Sequence, residues 1–296
     1  MKPKFPVLLL SSLLVVLSTL PATQAGEITI GSVSYNPAKE IKKYKLLTDY
    51  LNSLEEIRAI GEVKIRITDN INGMIDLMKS GQVDMYIDSP FPSFRLQESG
   101  VSKIALRRWK GGVAEYHSVI FVRKDSDIHT LSDLRGKLFA FEEPFSTSGY
   151  YLPKSSLIQN GFTVSEKENR GALIADDEIG YIFSEADDTT VTWVRKNRAA
   201  AGAIDNVKFD KIKDKIRQQF RVIHRTINVP RQVVNFRSDL SANTRTSIAK
   251  ALLEMHHSEY GRLQLKAFKE TLKFDEFPVS LEQALLPIKS MANSVQ

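Results

Sequence analysis

The chain contains no cysteine, only two tryptophans in 296 residues, and no strong excess of either charge. Without cysteine there is no disulfide scaffold, thiolate metal site, cysteine nucleophile or lipid-modified N-terminal cysteine. The formal charge of +6 arises from 41 basic and 35 acidic residues spread along the chain. No zinc-finger spacing or basic-plus-heptad pattern accompanies it, so nucleic acid is not an expected partner. A content of 42% hydrophobic and 26% charged residues is that of a folded soluble protein and excludes disorder. The length suits one large or two ordinary domains.

Catalytic signatures are equally scarce. The five histidines are His117, His129, His224, His256 and His257, and none stands in a His-Glu-x-x-His motif. His256 and His257, as neighbours on a helix, are expected to point apart. There is no Gly-x-Ser-x-Gly elbow, phosphate-binding P-loop or Gly-x-Gly-x-x-Gly. Glu142 and Glu143 are adjacent in an extended segment, where neighbours face opposite ways. The expectation is a non-enzyme with no cofactor and no metal.

Apolar residues are concentrated at the start. Lys2 and Lys4 precede an apolar run over residues 6–20, Pro21 breaks it, and Thr23-Gln24-Ala25 supplies small residues around a cleavage point. Residues 1–25 read as a cleavable secretory signal peptide, since the run is shorter than the ~20 residues a spanning helix needs. Its loss lowers the formal charge to +4 by removing the two lysines.

From residue 27 onward, strand and helix patterns alternate. Ile28, Ile30 and Val33 predict a strand, and Ile41, Tyr44, Leu47, Leu51 and Leu54 share one face of a helix. Val63, Ile65 and Ile67 alternate as a second strand. Asn70 heads a helix that stops at Gly81, and a third strand covers 83–87. Further strands fall at 118–122, 138–141, 199–204 and 233–236. Thr130 and Asp133 have capping-box spacing. Residues 207–220 are amphipathic, with Lys211 to Arg217 as a solvated face, and the chain is helical from Ser241 on. Alternating strands and helices mean βαβ units and an α/β fold with mostly parallel sheets. Ligands of such sheets bind at the carboxyl ends of the strands.

Four loops lie at such ends: 34–37, 88–92, 142–149 and 205–206. In the third, Ser146, Thr147 and Ser148 stand at the start of a helix, where free N–H groups and the macrodipole favour an anion. A single N-cap requires one hydroxyl, and three in succession fit a tetrahedral oxyanion better. Asp88 and Ser89 end the third strand, as a capped turn or as ligand contacts. Tyr35 follows the first strand, as a packing residue or as a cleft wall. Asp187 and Asp188 read as caps of a helix through Trp193. Asp205 ends a strand, where a ligand or hinge role is favoured over a bare turn.

These motifs, taken in order, resemble the phosphate/phosphite/phosphonate-binding periplasmic proteins of ABC transporters across essentially the whole chain after residue 25. The likeness is carried by Phe139-Ala140-Phe141, Pro144, Ser146-Thr147-Ser148-Gly149-Tyr150 and Pro153. Gly81-Gln82-Val83-Asp84, Ser118 to Ser126, Leu131 to Lys137 and Val229-Pro230 add to it. The resemblance implies a two-lobed type II periplasmic binding protein fold with two hinge crossings. Lobe 1 would take residues 26–115 and 229–296, and lobe 2 residues 116–228. It implies a soluble, monomeric periplasmic protein that closes on a small phosphorus oxyanion and delivers it to a membrane ABC permease. The alternative is a sensor that reports occupancy to a membrane signalling protein. Ser146, Thr147 and Ser148 would hold the oxygens from one lobe, with Tyr35, Asp88 and Ser89 approaching from the other. Asp187 and Asp205 complete the expected set. Aminoalkylphosphonate-binding members often carry an aromatic near Asp88, a histidine near Asp187 and carboxylates near Val207 and Gln232. The acids and neutral residues found here imply a changed organic tail.

Overall fold

The computed structural model describes residues 26–295; the expected leader, 1–25, lies outside the described residues. The chain opens with β1 (Gly26–Val33), α1 (Pro37–Ser53), α2 (Glu55–Arg58), β2 (Gly61–Thr68), α3 (Ile71–Lys79) and β3 (Met85–Asp88). Then come α4 (Pro90–Glu98), β4 (Ser102–Arg108) and the short β5 (Glu115–Tyr116). The middle of the chain holds β6 (Ser118–Arg123), β7 (Lys137–Phe141), α5 (Leu152–Gln159), β8 (Thr163–Glu166), β9 (Glu178–Phe183) and α6 (Asp187–Arg195). It continues through β10 (Ala201–Asp205), α7 (Asn206–Asp210), α8 (Asp214–Arg217) and β11 (Phe220–Arg225). The last part has β12 (Val229–Pro230), β13 (Gln232–Arg237), α9 (Ala242–Glu254), α10 (Glu259–Ala267), β14 (Phe274–Asp275) and α11 (Leu281–Val295).

Two six-stranded sheets result, in the orders β14-β4-β13-β3-β1-β2 and β11-β6-β10-β7-β9-β8. Most strands of each sheet run one way. The second sheet has one reversed strand, β6, which pairs antiparallel with β10 and β11. In the first, β13 runs against β3 and β4, and β14 against β4. Both β6 and β13 enter their sheets straight from a crossing between lobes. They therefore begin where the parallel strands end, so Ser118 pairs with Asp205 and Val233 with Asp88. The crossings themselves pair as an antiparallel ribbon, Val229 with Tyr116 and Pro230 with Glu115.

Local chemistry accounts for these elements. Asn36 caps α1 by accepting from the Lys39 N–H at 3.1 Å, with Pro37 at the first helical position. The α1 face buries Tyr44, Leu47 and Leu51 against the sheet, but Ile41, expected on that face, is half exposed. It lies in the first turn, where the helix has not yet reached the core. Asn70 caps α3 through the Gly73 N–H, and Thr130 and Asp133 form the expected capping box, heading only a short 3₁₀ turn. Gly61 is obligatory, because a Cβ there would lie 2.1 Å from the Gly26 carbonyl oxygen in the paired strand.

Several expectations are corrected. The amphipathic stretch 207–220 is two short helices, α7 and α8, followed by β11, because Phe220 leaves the helical face to pack edge-on against Phe121 at 5.0 Å. Ala186, not an aspartate, occupies the N-cap of α6; Asp187 and Asp188 fall in its first turn, drawn there by the Lys208 ammonium. Strands β4 and β9 were not legible. Arg107 and Arg108 end β4 as buried residues, Arg107 in a bidentate pair with Asp275 at 3.0 and 2.7 Å. The His256 and His257 rings lie 4.1 Å apart in a 3₁₀ turn rather than diverging.

Each lobe has core on both faces of its sheet. A further cluster joins the lobes: Phe91 and Phe94 of α4 meet Leu152 of α5, Tyr116 and Val229 of the crossings, and Leu285, Ile288 and Met291 of α11.

Candidate functional site

The site begins with β7, an interior strand whose Phe139 and Phe141 are fully buried and which delivers residues 142–149 at the carboxyl end of the second sheet's parallel strands. Ser146 is extended and caps the following turn: its hydroxyl accepts from the Gly149 N–H at 2.9 Å and donates to the Glu142 carboxylate at 2.6 Å. Gly149 is required by this packing, since a Cβ would lie 2.4 Å from that of Glu142. Residues Thr147–Tyr151 then form one wide π-helical turn leading into α5. The Ser146 hydroxyl is thus engaged by Gly149 and Glu142, and Thr147 and Ser148 are the two hydroxyls of the trio outside that pairing.

Those two hydroxyls meet residues from the other lobe and from the hinge. The Thr147 hydroxyl accepts from the Phe91 N–H at 2.9 Å, an amide of the first turn of α4. The starts of two helical segments, both positively polarised, therefore face each other across the cleft. The Ser148 carbonyl is held by the Ser118 hydroxyl at 2.6 Å. The buried Tyr116 hydroxyl contacts the Thr147 and Ser148 side chains, and burial pushes it well above the usual phenol range. The Arg231 guanidinium lies 4.3 Å from the centre of the Tyr116 ring.

Arg231 is only 7% exposed, yet its sole ion pair is a 3.3 Å contact from Nη2 to Asp205, and its buried Nε has no partner among the described residues. Asp205 also caps α7, accepting from the Lys208 N–H at 2.8 Å. Lys110 is partly exposed; desolvation and then Arg231, Lys43 and Arg108 push its ammonium down to about 7, against the pull of Asp205. Arg108 is fully buried on neutral acceptors: Gln232 at 2.6 Å, the Phe268 carbonyl at 2.7 Å and the Thr271 hydroxyl. Lys43 pairs with Glu40.

Another part of the cleft is acidic, linked to Asp205 through Lys208, whose ammonium pairs with Asp187. Burial, then the neighbouring Asp187 charge, pushes the Glu142 carboxyl well above the carboxylate range. Burial, then Asp88, Asp187 and Glu40, pushes Glu143 up to about 7. Asp187 accepts from Lys208 at 3.0 Å through one oxygen, while its other oxygen is buried without a partner among the described residues. Asp88 accepts from the Tyr86 hydroxyl at 3.1 Å and from the Ser89 N–H at 2.6 Å; the Ser89 side chain makes no cap bond. Tyr35 is 54% exposed and meets Phe145 of the other lobe edge-on at 5.3 Å.

The structure thus brings Thr147, Ser148 and Asp205 to one place. It sets Asp88 and Ser89 at the facing helix start, and Tyr35 and Asp187 toward the acidic part. Sequence reasoning missed Tyr116, Lys110, Arg231 and Ser118. The only local signals were the Gly111-Gly112 pair after Lys110 and the Val229-Pro230 step before Arg231.

A family model described as "ABC transporter, phosphonate, periplasmic substrate-binding protein" matches residues 30–278. The Escherichia coli phosphonates-binding periplasmic protein is 27% identical over 190 residues, 61% of this chain and 51% of that protein. The phosphate-import protein PhnD of Mycolicibacterium smegmatis is 29% identical over 145 residues, 48% of this chain and 44% of that protein. The match thus spans about half the length of these curated relatives. Among solved structures, XAC2383 from Xanthomonas citri, bound to chloride, superposes with a TM-score of 0.85 at 26% identity, covering 90% of this chain and 98% of that one. The same protein bound to ATP gives 0.84 at 25%, with 91% and 99% covered. Matched by family model over most of its length and built as a two-lobed type II periplasmic binding fold, the chain belongs to the periplasmic substrate-binding proteins of phosphonate ABC transporters.

Proposed function

We propose that this protein captures a small phosphorus oxyanion between its lobes and hands it to a membrane ABC permease. The lobes are residues 26–115 with 229–296, and residues 116–228. The observation that carries the reading is the convergence of the Thr147, Ser148 and Tyr116 side chains with the first turn of α4 and the Arg231 guanidinium. Hydroxyls, polarised amides and a cation together suit tetrahedral oxygens. The relatives' names point the same way: one speaks of phosphonates, one of phosphate, and XAC2383 holds ATP. A phosphorus oxyanion is what the three share.

Binding proceeds by hinge closure about the β5–β12 ribbon. A ligand touching both lobes favours the closed state by its differential affinity. The Thr147–Phe91 hydrogen bond and the Tyr35–Phe145 contact exist only with the lobes together, and they add to closure. The test is Thr147→Ala with Ser148→Ala, titrated calorimetrically with phosphate and methylphosphonate. Losing two charge-assisted hydrogen bonds weakens binding by about 100-fold or more, with circular dichroism unchanged. Undiminished affinity overturns the assignment.

A further inference from the structure

We propose that Arg231 sets the charge specificity of this site, selecting a doubly charged oxyanion over a singly charged one. The inference rests on the oxyanion reading above and goes beyond it, since hydroxyls and amides alone would accept either charge state.

Arg231 supplies the first observation. Its side chain is more than nine-tenths buried, and it lies over Tyr116, whose hydroxyl touches Thr147 and Ser148. Its Nε is a buried donor with no protein partner among the described residues. An unpaired buried donor costs about 1–3 kcal/mol, and more on a charged group. Asp205 engages the guanidinium through Nη2 at the long distance of 3.3 Å while also capping α7, so it satisfies only one side of the fork.

The cations gathered around Arg231 supply the second. Arg231, Lys43, Arg108 and Lys110 lie within electrostatic reach of one another, with Asp205 also in reach. Of these neighbours, Lys43 is matched by Glu40, and Arg231 in part by Asp205. Arg108 is held by neutral oxygens with Asp88 nearby. The cluster therefore carries cationic charge that its carboxylates do not match in direct pairs. An anion at the hydroxyls relieves the repulsion among these cations. Coulomb attraction scales with ligand charge, so a dianion gains about twice what a monoanion does.

The experiment compares methylphosphonate with its monomethyl ester, which is permanently a monoanion, at an alkaline pH where the parent carries two charges. Inorganic phosphate serves as a third probe. The wild-type protein is expected to prefer the dianion by about tenfold or more. Arg231→Gln is expected to reduce that preference to about twofold, while Arg231→Lys, which keeps a positive charge there, retains most of it. The ester's added bulk provides the control: a preference that survives Arg231→Gln is steric and overturns the proposal. Equal wild-type affinity for the two ligands overturns it as well and leaves the oxyanion site standing. Binding of none of the three probes overturns the oxyanion reading and this inference with it. Should Arg231→Gln fail to fold, the salt dependence of the wild-type preference decides, since a preference that ionic strength does not reduce is not electrostatic and overturns the proposal.

Discussion

Two parts of the cleft are built from opposite chemistry. At the hinge end, Arg231 lies over Tyr116 beside Thr147 and Ser148, with Lys110 within electrostatic reach, and cations outnumber directly paired acids. At the mouth, Glu142, Glu143 and Asp187 crowd together, and two of these carboxyls are pushed well up. Like charges clustered in a partly desolvated space raise the free energy of the folded state in both parts, with opposite sign. The hinge end is relieved by an anion, and the mouth by protons or by hydrogen-bond donors. A ligand lying along the cleft therefore meets a field with a direction, which orients it before any shape is matched.

That contrast can be broken most strongly at Asp205. Asp205→Ala removes the one carboxylate paired with Arg231 and also the cap of α7. Leaving a buried guanidinium unmatched is expected to cost about 3–5 kcal/mol in urea unfolding. Added phosphate should recover part of the loss, whereas a change no larger than that of an exposed substitution would show the hinge end to be well solvated.

A smaller effect belongs to Thr147→Val, which keeps the shape but strands the Phe91 N–H. The expected loss is about 1–3 kcal/mol, read by denaturant titration together with weaker ligand binding.

Glu143→Gln tests the mouth. Its carboxyl in the folded protein is held up to about 7, above the ordinary 4.5, so the folded state binds that proton more tightly than the unfolded chain. The stability from this proton is fully present below about 4.5 and is lost as pH rises through about 7. The wild-type melting temperature should therefore fall across this window. The substitution should flatten the fall and raise the midpoint above neutrality by about 2–4 °C. An unchanged profile would mean that the mouth acids are fully hydrated.

Tyr35→Ala gives the smallest effect. The ring is 54% exposed, so stability should hardly move. The aromatic pair with Phe145 is worth about 0.5–1.5 kcal/mol at most, and it exists only when the lobes meet. Ligand affinity should fall by about two- to tenfold, and an equal drop in melting temperature and affinity would argue against a role in closure.

The legibility of these features follows from the range of the forces involved. Caps at Asn36, Asn70, Thr130 and Ser241 are local hydrogen bonds between residues three apart, so their spacing is written in the chain. Ser146 was recognised as part of a helix start, yet its commitment to Glu142 and Gly149 separates it from Thr147 and Ser148. Strand β4 escaped because Lys103, Ala105 and two arginines interrupt its apolar pattern, and the Arg108 partners lie more than 120 residues away. Local geometry sets Glu142 and Glu143 on opposite faces of an extended segment. Their common feature is shared company with Asp187, 44 or more residues distant, which adjacency in sequence does not reveal.

The sequence by itself determined the alternation of strands and helices, the hydroxyl-rich helix start at 146–148 and the family, because these depend on periodicity and on neighbours a few residues apart. Only the tertiary structure decided which charges stand beside those hydroxyls. Lys110 and Arg231 come from the two chain crossings, and it is the antiparallel pairing of Tyr116 with Val229 that puts them at one end of one cleft. Electrostatic energy depends on distance in space, and a linear order of residues carries that only after the sheets have formed.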